Sequence, residues 1–287
     1  SGLTPRLRWL AGVDIDHTKG SLFEDQAEFF SPNQPDGVHY DYDVQAQTLA
    51  GFTQLNWALS DRWQMTGGLR LEETRYDYRN LTDPGPACAP AASACRFFRP
   101  ASREDRFTDW TGNLALSYQT DHATIFVRAA RGFRAPQTTE LYRLQSGQVT
   151  ADLDSETIDS VEFGVRGQQG AFAYDLAAYW MAKENVIFQD RDRYNVSGAD
   201  TLHRGIDVTF SWALSDIWSL RGNGAYARHR YDSDIELIGS RGTIEGNDID
   251  TAPKHFGSLQ LLADLTPLGQ AISCLLYTSP SPRDNTG

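Results

Sequence analysis

The chain has 287 residues, a formal net charge of −12 and a pI of about 4.9, so it lacks the basic surface expected of a nucleic-acid-binding protein. Hydrophobic residues make up 40% of it and the mean hydropathy is −0.48, and no run approaches the ~18 consecutive apolar residues that a membrane helix needs. A sheet of alternating strands can also cross a bilayer, and low mean hydropathy does not exclude it. The first twelve residues lack the basic and apolar regions of a signal peptide, so we expect the chain to start within a longer protein.

About ten segments alternate between apolar and polar residues with a period of two, which predicts β-strands. In chain order they cover approximately residues 6–16, 48–58, 63–72, 109–119, 123–130, 160–167, 172–180, 202–214, 218–229 and 256–265. The connections alternate between long polar loops, including one at 18–43, and short turns. This asymmetry is typical of bacterial outer-membrane barrels.

Two of the short turns, at 59–63 and 214–218, are near copies of each other, and tryptophans flank both. Trp57, Trp63, Trp212 and Trp218 therefore stand where an interfacial aromatic belt would lie. Alternation alone is equally compatible with a soluble sandwich or propeller. The segment length of about ten residues favours membrane strands, because strands of soluble sheets usually have five or six residues.

A motif lies between the fifth and sixth predicted strands, where the run RGFRAPQTTELYRL (131–144) precedes a returning strand. It resembles the barrel of TonB-dependent outer-membrane receptors, in which Gly-Phe-Arg-Ala-Pro precedes Glu-Leu-Tyr, a Pro-Glu element and a strand reading Glu-x-Gly-x-Arg/Lys-Gly. The matching residues are Gly132, Phe133, Arg134, Ala135, Pro136, Glu140, Leu141, Tyr142, Glu162, Gly164, Arg166 and Gly167. The chain departs from the pattern at Ser155-Glu156, where Pro-Glu is usual.

The resemblance implies an all-β fold: an antiparallel transmembrane β-barrel fragment of about ten meandering strands that form an open curved sheet. The parent barrel would have about 22 strands and an N-terminal plug. We expect residues 1–272 to be a partial barrel without a plug and residues 273–287 to be a non-native tail. The tail contains CLLYTSPSPRD (274–284), which resembles a sequencing adapter translated in frame, so Cys274 would not be a biological cysteine.

The resemblance also implies function. The parent would bind a scarce ligand, such as a ferric siderophore, outside the cell and import it with energy from the TonB complex, reached through an N-terminal region outside this chain. Its other partners would be lipid and lipopolysaccharide of the bacterial outer membrane. No cofactor, metal or nucleic acid is expected. Two alternatives remain, a passive porin and an outer-membrane barrel enzyme.

Catalytic motifs do not support an enzyme, because the sequence has no G-x-S-x-G, P-loop or H-E-x-x-H, and its six histidines are scattered. His203 and Asp207 share a strand face, which polar lumen lining explains better than catalysis. Asp190 and Asp192 could bind calcium, but a solvated charge cluster explains them better, since the other ligands of an EF-hand are missing.

Candidate ligand contacts in an outer loop are Arg134, Tyr142 and Arg143. The alternative for the arginines of this motif, Arg131 included, is pairing with loop acids or with lipopolysaccharide phosphates. Cys88 and Cys95 lie close together in a Pro/Ala-rich loop and suit a disulfide in an oxidising compartment, with two free thiols as the alternative.

Overall fold

The fold is an open antiparallel meander, as predicted. The computed structural model describes residues 6–89, 95–145, 147–190, 192–234, 243–249, 252–264 and, by backbone alone, 272–278. Within them, eleven strands form one sheet in which each strand pairs with its neighbours along the chain. These strands are β1 (Leu7–Gln26), β2 (Gly37–Ala58), β3 (Trp63–Asn80), β6 (Arg103–Gln119), β7 (Ala123–Arg134), β8 (Glu156–Gln169), β9 (Phe172–Gln189), β10 (Asn195–Ala213), β11 (Trp218–Tyr231), β12 (His255–Ala263) and β13 (Ile272–Thr278).

The remaining elements are small and lie in the long connections. Strands β4 (Gly85–Pro86) and β5 (Phe98–Arg99) pair with each other, and a five-residue helix, α1 (Thr138–Tyr142), follows β7. No helix among the described residues has the length and hydrophobicity to traverse a lipid bilayer.

Several strands run well beyond their predicted ends, always at the edge of the sheet that carries the long connections, here called the long-loop rim. β1 continues to Gln26 and β2 begins at Gly37, so the predicted loop at 18–43 is wrong over most of its length. The β1 end alternates poorly in hydrophobicity, whereas on β2 the buried Tyr40, Tyr42 and Val44 alternate with Asp41 and Asp43, a strand pattern that the loop prediction overlooked. The backbone groups of the two ends pair, from Thr18 with Ala46 to Glu24 with Tyr40.

One face of the sheet is apolar and uncovered, and we call it the apolar face. Ile15 is 80% exposed, Phe163 58% and Ile206 51%, although burial would favour each of them. Further exposed side chains of this face are Val13, Leu71, Leu114, Val127, Val161, Leu176 and Val208. No second protein layer packs against these described residues, so the apolar face is available to hydrocarbon, as the membrane interpretation requires.

Tryptophans mark two levels on the apolar face. The lower row is the predicted one at the short turns, Trp57, Trp63, Trp212 and Trp218, all 42–46% exposed. An upper row, which the sequence did not indicate, contains Trp110 and Trp180. Trp110 is eight positions from Tyr118, the partner of Trp63, and Trp180 is eight from Phe172, the partner of Trp212. Eight residues span about 27 Å of strand, or about 20 Å along the normal of a tilted barrel, which is close to the height of a membrane band.

The opposite face, here called the polar face, is lined by charged and small side chains. Arg70 pairs with both Asp14 and Glu72, and Arg128 pairs with Glu162 at 3.1 Å. The main buried cluster also lies on this face, at the long-loop rim, where the connection from β7 to β8 folds onto β2 and β3.

The backbone of Ile272–Thr278 pairs with β12 as the last strand. This pairing does not test the expected origin of residues 273–287, because a free sheet edge can pair with any extended segment. Residues 279–287 of that tail lie outside the described residues, and its adapter origin stays a prediction.

Candidate functional site

The motif loop, residues 135–145 and 147–155, lies against the polar face at the long-loop rim, and its short helix α1 begins at Thr138, two residues after Pro136. The backbone N–H of Gln137 donates to the Glu140 carboxylate at 2.7 Å, which satisfies a free amide at the start of the helix. Leu141 and Tyr142 on the buried side of α1 are at most 1% exposed. The loop is therefore a packed part of the structure.

Tyr142 anchors the loop in an aromatic cluster. Its ring stacks on Tyr78 with centroids 4.1 Å apart, and its hydroxyl donates to Asp105 Oδ2 at 2.7 Å. Burial, and then the hydrogen bond to Asp105, raises the pKa of Tyr142 far above its ordinary value, so the hydroxyl keeps its proton. A second link comes from Tyr40, whose hydroxyl donates to the Leu144 carbonyl at 2.9 Å.

Arg134 joins the two ends of the loop by charge. Its guanidinium makes two hydrogen bonds to Glu140, at 2.9 and 3.1 Å, and a third to Glu156 at 3.0 Å. Glu156 also accepts the Ile187 backbone N–H at 2.8 Å, and Lys183 lies 3.7 Å from it. This arrangement ties the end of β7, the start of β8, α1 and β9 together.

The departure at Ser155-Glu156 leaves that link intact, because the glutamate is present. Ser155 uses its hydroxyl to donate to Asp109 Oδ2 at 2.7 Å, an interaction that proline could not make. Elsewhere in the motif, Gly164 lies directly beneath the ring of Phe126 on β7 and Glu162 pairs with Arg128. The motif residues thus shape and fasten the loop.

A cleft of about 350 Å³ opens beside the loop at the long-loop rim. Basic, aromatic and amide side chains line it together with one hydroxyl and one carboxylate: Tyr40, Arg96, Phe97, Thr139, Glu140, Arg143, Gln145, Gln189 and Asn195. The Arg143 guanidinium lies 5.5 Å from the centre of the Tyr40 ring and pairs with Glu24. Its side chain remains 39% exposed, so a ligand in the cleft could reach it.

The cysteine loop forms a wall of this cleft. Cys88 and Cys95 are joined by a disulfide, and the following Phe97 stacks on His39 with centroids 3.7 Å apart. The Phe98 N–H donates to the Leu144 carbonyl at 2.8 Å, which connects this loop to the motif loop. The disulfide therefore restricts the conformation of a loop whose next residues, Arg96 and Phe97, line the cleft.

The structure separates the three predicted ligand residues. Arg143 lines the cleft, but Tyr142 has no exposed surface and Arg134 is held by two carboxylates. This arrangement favours Arg143 over Tyr142 and Arg134 as a ligand contact, and all three assignments stay predictions. Sequence reasoning missed Tyr40, Phe97 and Asn195, since only folding brings their segments together, although the aromatic run HYDY (39–42) was a signal.

Two other possibilities came from the sequence, a calcium site at Asp190 and Asp192 and a catalytic pair at His203 and Asp207. Asp190 Oδ1 accepts the backbone N–H groups of Asp192 and Tyr194, both at 2.9 Å, so it closes a turn. In the described part of the chain, no three His, Cys, Asp or Glu side chains are grouped closely enough to hold a metal ion. His203 contacts His229 on the next strand, with 2.7 Å between their Nδ1 atoms.

Comparisons of the sequence and of the fold with known proteins point to the same kind of protein. The pesticin receptor of Yersinia pestis is 24% identical over 225 residues, which cover 73% of this chain and 29% of that receptor. The chain therefore spans under a third of the length of this relative. Among solved structures, the ferric yersiniabactin uptake receptor FyuA from Yersinia pestis superposes with a TM-score of 0.66 at 18% identity, covering 92% of this chain and 38% of that one. The ferric citrate transporter FecA gives a TM-score of 0.62 at 16% identity, covering 91% and 37%.

The two structural likenesses establish the fold, and the family follows from the sequence. The model of the family described as "TonB dependent receptor-like, beta-barrel" matches residues 2–280, nearly the whole chain. The chain therefore belongs to the TonB-dependent receptor β-barrel family.

Proposed function

We propose that the chain is part of the barrel of an outer-membrane active transporter that binds an iron chelate outside the cell and imports it with TonB-transduced energy. The family consists of outer-membrane receptors, and relatives with this fold include the ferric yersiniabactin and ferric citrate receptors. In this proposal the long-loop rim faces the exterior, residues 1–272 belong to the barrel, and a plug and a TonB-contacting segment belong to the parts of the receptor outside this chain.

The cleft beside Arg143 carries the proposal for the ligand. It combines two arginines, Arg96 and Arg143, with the rings of Tyr40 and Phe97 at the exterior mouth of the polar face. Many ferric siderophore complexes are anionic and carry aromatic groups, so guanidinium and ring faces complement them. Arg143 would exchange its pairing with Glu24 for the chelate, and the disulfide-bonded loop would hold the opposite wall.

The polar face supports a plugged transporter. At the short-turn end it has a shallow hollow of about 360 Å³, lined partly by Thr209, Arg221, Asn223 and Ser258. Such side chains offer hydrogen bonds to a folded domain inside the barrel.

On the other side of the sheet, above the upper tryptophan row, Arg75 and Arg106 pair with Glu104. We propose this charged zone as the contact with lipopolysaccharide headgroups.

The test uses the complete receptor, produced in a bacterial strain that lacks its own siderophore receptors. Binding and uptake of ⁵⁵Fe-labelled yersiniabactin, citrate and catecholate complexes are measured. Arg143→Gln should weaken binding of the accepted chelate by about tenfold or more, since a hydrogen bond to a charged group contributes about 1.5–3 kcal/mol. The matched control is Arg75→Gln, because Arg75 is similarly exposed (43% against 39%) and also pairs with a glutamate.

Uptake should cease when the TonB protein is deleted. Passage that continues without TonB would indicate a porin, and conversion of the chelate at the membrane would indicate a barrel enzyme. If no chelate of the panel binds, or if the two arginine variants lose equal affinity, the proposed ligand site is wrong.

A further inference from the structure

A set of side chains on the polar face is used neither by the cleft nor by the motif loop. His203 on β10 is the direct partner of His229 on β11 and of Met181 on β9. The three residues lie in one row across three adjacent strands. Their strand positions share the face of Glu162 and Asp207, because side chains alternate along each strand. On β9 and β10 the row lies near the middle of the strands, one position from Trp180 and Arg204 on the long-loop side.

The two imidazoles form a hydrogen bond whose nitrogens lie close to the spacing of adjacent metal ligands. Their Nδ1 atoms are 2.7 Å apart, and the ring centroids are separated by 5.0 Å. Two nitrogens bound side by side at about 2.0–2.1 Å from one metal ion lie about 2.9–3.3 Å apart. A small opening of the pair would therefore admit an ion between the two Nδ1 atoms.

Thr201 orients the first imidazole. His203 Nε2 lies 2.9 Å from the hydroxyl of Thr201, a residue that is 6% exposed. When Nε2–H donates to this hydroxyl, the lone pair of Nδ1 points towards His229. Such outer contacts fix the tautomer and ring orientation of metal-binding histidines. His229 would carry its proton on Nε2 when both Nδ1 atoms bind the ion.

The third member decides which ion fits. Met181 supplies a thioether, a soft ligand that selects copper(I), whereas two imidazoles alone also suit zinc or nickel. The ammonium group of Lys183, two residues from Met181 on β9, would repel a bound cation. Glu156 lies 3.7 Å from this ammonium group and offsets its charge. We propose that Met181, His203 and His229 form a copper(I)-binding site on the polar face of the sheet.

Copper(I) affinity of the purified complete receptor in detergent tests this site, measured by competition with a chromogenic copper(I) chelator. The double variant His203→Gln/His229→Gln should bind at least about tenfold more weakly, since even second-shell changes cost 10–100-fold in metal affinity. Met181→Leu should weaken copper(I) and silver(I) binding by about tenfold and leave zinc(II) binding unchanged. His255→Gln is the control, because His255 lies on β12 away from the row.

X-ray absorption of the copper(I) complex should show two nitrogen scatterers and one sulfur scatterer. Wild-type affinity in the double variant would overturn the proposal, as would an equal loss in the His255 control. Met181→Leu preserves side-chain volume, so it remains decisive if the double variant fails to fold. The outcome is independent of the transport proposal, since neither ferric chelates nor TonB enter the measurement.

Discussion

At the scale of single residues, Arg134 has the widest consequences, because its guanidinium connects Glu140 in α1 with Glu156 at the start of β8. Glu156 is only 10% exposed, so the loss of its cation would leave a poorly hydrated carboxylate at the loop. Because Glu140 also lines the cleft, Arg134 can affect the proposed ligand site indirectly by holding α1 in position.

We expect Arg134→Gln to loosen the motif loop without unfolding the sheet. The loss of charged hydrogen bonds, reduced by partial solvent screening, amounts to roughly 1–3 kcal/mol. Hydrogen exchange of the α1 amides in the complete receptor should accelerate about 5- to 150-fold. The control is Arg128→Gln, which breaks the pairing with Glu162 outside the loop. Unchanged exchange in α1 would contradict a fastening role.

The sequence located these residues but did not assign their roles. The order of Arg134, Glu140 and Tyr142 along the chain was sufficient to recognise the family, because the motif is local. Their contacts are not local: Tyr142 meets Asp105, which is 37 positions away, and Tyr40 meets Leu144, which is 104 positions away. Whether an arginine faces a ligand or a carboxylate depends on such long-range contacts, and alternation along a strand does not contain them.

At the scale of the strands, several glycines in the described residues are covered by the aromatic side chain of their partner on the neighbouring strand. The pairs are Gly12 with Phe52, Gly164 with Phe126, Gly205 with Tyr179 and Gly222 with Phe210. In each pair the aromatic side chain occupies the space that a Cβ atom at the glycine position would need. Aromatic rings that cover glycines in this way help to fix the register between strands. The position of Gly164 in the motif therefore has a packing cause.

Gly164→Ala should destabilise the sheet at β7 and β8. A Cβ at this position would lie 2.3 Å from the Phe126 ring and 3.0 Å from the Leu176 carbonyl oxygen. Overpacking of this kind costs about 1–3 kcal/mol, which urea unfolding of the complete receptor would measure. Gly51→Ala is the matched control, since nothing lies within 4 Å of its added Cβ. Adding Phe126→Ala to Gly164→Ala should recover part of the loss; equal stability of the two single variants would refute the packing argument.

The sequence predicted that a strand exists wherever one of its faces is apolar. It did not predict how far each strand continues towards the long-loop rim. Between the two tryptophan rows, hydrocarbon on one side and a wet interior on the other impose strict alternation. Above the upper row both faces contact polar groups or loops, and residues 18–26 contain strand that no clear periodicity revealed. On β2 the alternation of Tyr40, Tyr42 and Val44 with Asp41 and Asp43 was present in the sequence but was assigned to a loop. Backbone pairing continues there because the adjacent strand supplies it.

At the scale of the whole molecule, the two faces of the sheet tolerate different side chains. Val208 and Thr209 are neighbours on β10, four and three positions from Trp212, but they point to the apolar and polar faces respectively. Val208 lies halfway between the tryptophan rows. Arginine at this depth on the hydrocarbon side of a barrel costs about 2–4 kcal/mol.

Val208→Arg should therefore destabilise the complete receptor in lipid vesicles by about 2–4 kcal/mol, whereas Thr209→Arg should have a much smaller effect. Urea titration monitored by tryptophan fluorescence measures both. Equal losses would mean that protein, and not lipid, covers the apolar face, and the membrane interpretation of the fold would fail.

The extension of the strands past the upper tryptophan row lifts the mouth of the protein away from the lipid. On β2, the fourteen positions from Gly51 to Gly37 raise the rim on the order of 30 Å at typical strand tilt. A rim of this height places the motif loop and the cleft well beyond the apolar band of the sheet. Substitutions at the rim can therefore alter the cleft without changing the apolar band between the two tryptophan rows.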